Sequence, residues 1–134
     1  MNLSKGLILY LDNRMKLRLM KPWFIENSKI PVWLSKVSPI EIGAITLGPV
    51  VVSRGKMSEV TRTHETIHWQ QYIETAIIGF LILYLAYWLV GLIKYRDGST
   101  AYYKIPFEQE AYANQENRFY PIARKRYCWL RYRI

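Results

Sequence analysis

Cysteine is almost missing from this chain. Cys128 stands alone among 134 residues, so no internal disulfide can form and nothing requires an oxidising compartment. Histidine occurs only twice, and acidic side chains are few: ten, against 19 Lys and Arg, for a formal net charge of +9. That imbalance draws a protein to anionic surfaces, either lipid or nucleic acid. No internal repeat or low-complexity tract is visible, which excludes solenoid and array architectures. A signal peptide is not expected either: Gly6–Leu11 is apolar but too short, and Asp12-Asn13-Arg14 interrupts it. The length suits a single domain with a modest core rather than two.

What is abundant is aromatic. Tyr (11) and Trp (5) supply most of a 15% aromatic share, and both residues favour membrane interfaces. The positive charge is split between the ends, with nine basic and three acidic residues in 1–58 and nine and four in 94–134. Residues 1–38 read as an irregular basic cap, broken by Pro22, Pro31 and Pro39. Within it Met15–Met20 alternates cations with Leu or Met, as an edge strand or a basic surface turn would. Glu41–Arg54 is rich in β-branched residues and reads as strand, with Gly48-Pro49 as a turn or bulge. Ser58 then caps a helix that starts at Glu59 and runs through residue 68 and beyond. Ala76–Ile93 carries no charge over 18 residues, the lower edge of what a membrane-spanning helix needs. Asp97-Gly98-Ser99-Thr100 reads as a loop. Pro106 starts a second helix that continues to Glu116, and Pro121 ends or kinks it. The expected fold is mainly α with a small β element.

Both histidines fall in one motif, His64-Glu65-Thr66-Ile67-His68. Residues four apart on a helix share a face, so His64 and His68 can offer two imidazole nitrogens to one zinc ion. Glu65, roughly 100° further round the helix, can take the proton of a zinc-bound water. A catalytic zinc needs a third protein ligand. With no third histidine, the candidates downstream are the carboxylates Asp97, Glu108, Glu110 and Glu116. Asp97 falls in the expected loop, where it would be held poorly; Glu108 and Glu110 lie just inside the second helix.

At this point the chain resembles the gluzincins, zinc metallopeptidases with HExxH on one helix and a glutamate ligand on a later one. The membrane-linked CAAX-prenyl-protease branch is the most similar. Its later helix commonly reads Phe-Glu, two variable residues, then Ala-Asp; here Phe107-Glu108-Gln109-Glu110-Ala111-Tyr112 matches through the alanine. The resemblance covers two short motifs and implies a single minimal metallopeptidase-like domain over residues 1–134. It makes His64, His68 and Glu108 the zinc ligands, with Glu110 as runner-up, and Glu65 the catalytic base for peptide hydrolysis. The family's aspartate, which orients a zinc-bound histidine, is replaced by Tyr112; Asn114, Glu110 or a backbone carbonyl are the available substitutes. Tyr112, Tyr120 and Arg118 are candidate oxyanion donors, and Gln70, Gln71 and Tyr72 are groove-lining or histidine-supporting candidates.

Sharing one zinc sets a geometric demand. In a straight helix over 59–95, His68 and Lys94 would lie roughly 39 Å apart, while residues 95–108 reach at most roughly 43 Å fully extended. A break is therefore expected, first at Gly79 and then at Gly91, folding the apolar segment into a hairpin on or in one leaflet. Cytoplasmic placement of both basic ends fits that arrangement. The partners implied are a peptide or protein substrate and membrane lipid. Lipid is favoured over nucleic acid for the tail Arg124–Arg133, whose five cations interleave with aromatics. The competing class is a non-enzymatic membrane-associated protein with a structural zinc.

Overall fold

β-Branched residues do form the sheet. The computed structural model describes residues 20–134; the readings of Gly6–Leu11 and of residues 15–19 lie outside it. Strands β2 (Ala44–Leu47) and β3 (Val50–Ser53) form an antiparallel hairpin around Gly48-Pro49, and Gly48 takes the left-handed conformation at φ 62°. A third strand, β1 (Trp23–Ile25), pairs parallel with β3 and gives the order β1-β3-β2. This corrects the reading of residues 1–38 as irregular. Three residues are too few for alternation to show, and the strand owes its existence to β3. A short helix α1 (Ile30–Ser35) carries Pro31 in its first turn.

Helix α2 (Glu59–Glu74) begins where expected, with the Ser58 hydroxyl accepting from the Thr61 N–H at 3.1 Å. It ends in a Schellman motif. The N–H of Ile77 returns to the Tyr72 carbonyl and that of Ala76 to Ile73, at 2.8 and 3.4 Å. Ala76 and Ile77 have φ of 57° and 67°, so the chain reverses here and not at Gly79 or Gly91. Both glycines instead lie inside α3 (Ile78–Tyr95), a single uninterrupted helix. The apolar segment therefore does not fold back upon itself; the chain reverses at each of its ends. Gly91 serves close approach: a Cβ there would stand 3.1 Å from that of Ala101.

Asp97–Thr100 is also corrected. Asp97 is the N-cap of a helix, α4 (Gly98–Tyr103), accepting from the Thr100 N–H at 2.8 Å. The glutamate helix α5 (Pro106–Asn114) has Pro106 in its first turn and stops short of Glu116. Pro121 neither ends nor kinks it, but opens a separate turn of helix, α6 (Tyr120–Ala123). A 3₁₀ turn, Cys128–Arg131, follows. The main aromatic core joins α2, α3, α5 and the tail through Trp69, Tyr72, Phe80, Ile105, Phe107 and Trp129. Phe80 stacks on both Tyr72 and Phe107, with ring centroids 3.9 and 4.6 Å apart. That stack fixes α5 against α2 and so sets where Glu108 stands.

Candidate metal centre

His64 and His68 stand one turn apart on α2, with Nε2 atoms 3.0 Å from each other. Glu108, arriving from α5, places Oε2 3.2 Å from His64 Nε2 and Oε1 3.2 Å from His68 Nε2. All three residues are buried, and one ligand atom from each lies within 4.8 Å of the others. Glu110 does not join them.

The donor set fits a cation. Gln71 spends its amide N–H groups on Glu110 Oε2 (2.8 Å) and the Phe107 carbonyl (3.1 Å), so its Oε1 faces His68 Nδ1 at 2.8 Å. His68 must donate there, which leaves Nε2 with a lone pair when the ring is neutral. Gln115 Oε1 meets His64 Nδ1 in the same way at 2.9 Å. Two lone pairs then face a carboxylate, an arrangement that only positive charge stabilises. Glu108 Oε2 is the one buried side-chain polar atom among the described residues without a hydrogen-bond partner. Tetrahedral zinc with bonds of about 2.0–2.1 Å spaces its ligands roughly 3.3 Å apart, close to these separations. In the metal-free protein burial opposes a charged His68, yet the Glu108 carboxylate prevails and raises its pKa to about 9. Burial likewise works to raise the Glu108 carboxyl, but His68 beside it holds it far below the usual range.

Glu65 is buried at the floor of the same cleft, which has a volume of about 790 Å³. The Thr46 hydroxyl of β2 donates to its Oε2 at 2.6 Å. Tyr112 packs edge-on against His64 (centroids 4.6 Å apart) and shares a 3.1 Å hydrogen bond with Tyr102. Burial pushes its hydroxyl up to about 12, so Tyr112 is a proton-bearing group at the cleft wall at neutral pH. Asn114 points elsewhere, donating to the Glu110 carbonyl at 2.8 Å. Of the other oxyanion candidates, Tyr120 donates to Glu110 (2.9 Å) and Arg118 lies over the Phe119 ring.

Residues outside the motifs complete the centre. Tyr84, on the apolar helix, donates to Glu108 Oε1 at 2.8 Å. Thr46 and Gln115 had no motif to announce them. Nor did Arg124, which the sequence placed in an interfacial tail. It is buried, donates to Glu110 Oε1 at 2.8 Å, and also pairs with Glu74. Burial works against the charge of Arg124, but the two carboxylates outweigh it and raise its pKa. His68 is thus held by a hydrogen-bonded chain that runs through Gln71 and Glu110 to Arg124. No family model, curated protein or solved structure matches this chain.

Proposed function

We propose that this protein is a small, membrane-associated zinc metallopeptidase of gluzincin type. One observation carries the reading: His64, His68 and Glu108 bring one ligand atom each within 4.8 Å of the others, and Glu65 lines the same open cleft. A bound zinc ion would polarise a peptide carbonyl and acidify a water. Glu65 is placed to take the proton of that water and pass it to the leaving amine. Thr46 donates to one oxygen of the Glu65 carboxylate and would hold the group steady for this role.

Among the described residues β2 is an edge strand beside the cleft, suited to hold an extended peptide by strand addition. The Tyr72 hydroxyl already occupies the Thr46 carbonyl at 3.0 Å. The outward backbone groups of Ala44 therefore carry more of the pairing. Tyr112 is the best-placed oxyanion donor. Membrane association is supported by α3, long and apolar enough to cross a bilayer, and by the cationic ends.

The test is metal analysis joined to peptide hydrolysis. Wild-type protein should bind one zinc ion, and Glu65→Gln should keep it while losing hydrolysis by a factor on the order of 10² or more. Zinc retention with no hydrolysis in either protein would leave the metal a purely structural role.

A further inference from the structure

Helix α3 is apolar on every side, yet among the described residues only one side has a partner. Its inner face packs against the domain from Phe80 to Gly91. Tyr87 meets Phe107 and Trp129, Gly91 meets Ala101, and the Trp88 indole donates to the Gly98 carbonyl at 3.0 Å. Tyr84 reaches Glu108 on the same face. The polar part of the protein therefore lies alongside the helix instead of capping its ends. Were α3 to cross a bilayer in this fold, it would carry the buried Glu108 that Tyr84 contacts, and the histidines beside it, into the hydrocarbon.

The outer face is a continuous stripe of Ile78, Leu81, Ile82, Leu85, Leu89, Val90 and Ile93. These side chains are between 45% and 79% exposed and recur at helical spacing. From Ile78 to Ile93 the stripe runs roughly 24 Å, more than a water-facing monomer ordinarily leaves uncovered. Charge identifies what covers it. Lys94 and Arg96 close the helix, and the Lys94 and Lys104 ammonium groups lie 5.4 and 5.8 Å from the centre of the Tyr95 ring. Lys94 also donates to the Ile134 carbonyl at 3.0 Å, which brings the basic tail to the same end. A second copy would add another net charge of +9; an anionic leaflet neutralises it.

We propose that the outer face of α3 is an in-plane docking surface for an anionic membrane leaflet: the helix lies along the bilayer with its stripe in the lipid and does not cross it. The inference rests on the membrane association proposed above and specifies its geometry. Leu81 and Leu85 also line the cleft, so docking brings that wall to the lipid surface.

Flotation of the full-length protein with vesicles tests the surface. Binding should be strong to phosphatidylcholine vesicles containing phosphatidylglycerol and weaker to phosphatidylcholine alone. The double variant Ile82→Glu, Leu89→Glu should lose roughly tenfold or more of the bound fraction while keeping its metal content, which reports an intact fold. Orientation is read in otherwise native protein, with Lys56→Cys or Lys125→Cys placed singly in a Cys128→Ser background. Added to preformed vesicles, both cysteines should react with an impermeant maleimide. Protection of one of them would mean a crossing and overturn the proposal, even if membrane association stands. Undiminished flotation of the glutamate variant would also overturn it, as would a lipid-free dimer dispersed by the same substitutions. Failure to float with any vesicle would sink the membrane association itself.

Discussion

Glu108 and Glu110, two residues apart on α5, have different tasks. Glu108 faces the histidines with one oxygen free of hydrogen bonds, while Glu110 is fully buried against Arg124, Tyr120 and Gln71. Glu108→Ala should therefore abolish stoichiometric metal binding by elemental analysis. Gln71→Leu should leave three ligands but release the His68 ring, weakening zinc by roughly 10–100-fold in a chelator competition. Arg124→Met should act on stability instead, by stranding two buried carboxylates at a cost of about 3–5 kcal/mol in urea denaturation. The members of the His64–His68–Glu108 cluster were legible because HExxH and Phe-Glu are local patterns. Thr46, Tyr84, Gln115 and Arg124 were not, because each reaches the centre only through tertiary packing. Arg124 sits in a run of cations whose other members are not fully buried, and nothing local sets it apart.

Among the elements, the turn between α2 and α3 was foreseen in kind and misplaced in position. A break had to exist for one metal to meet both motifs, and glycine was the natural sign of it. The protein uses Ala76 in the left-handed conformation at the site where a Schellman motif usually carries glycine. Ala76→Gly should consequently stabilise the fold by about 1 kcal/mol, read as a higher urea midpoint with an unchanged slope. Gly91→Val should do the reverse, since Ala101 already stands at the limit of approach. The hairpin, the cap at Ser58 and the proline at the head of α5 carried their own local signatures. Strand β1 and helix α4 did not: one depends on β3, and the other begins in a Gly-Ser-Thr sequence that favours turns.

In the molecule as a whole, the metal site is where two distant stretches of chain meet. From His68 to Glu108, 40 positions on, the chain leaves α2, runs out along α3, returns through α4 and closes at α5. In a protein with one cysteine, a metal held at both ends of that excursion is the cross-link that no disulfide can supply. Closing a loop of this length costs roughly 4 kcal/mol of chain entropy, so a bound ion would act as a clasp. Chelation should then raise amide hydrogen exchange across residues 76–105 as one cooperative unit, while the β2–β3 hairpin, outside the loop, stays protected. Opening of α3 and departure of a bound ion would then be one event seen from two ends.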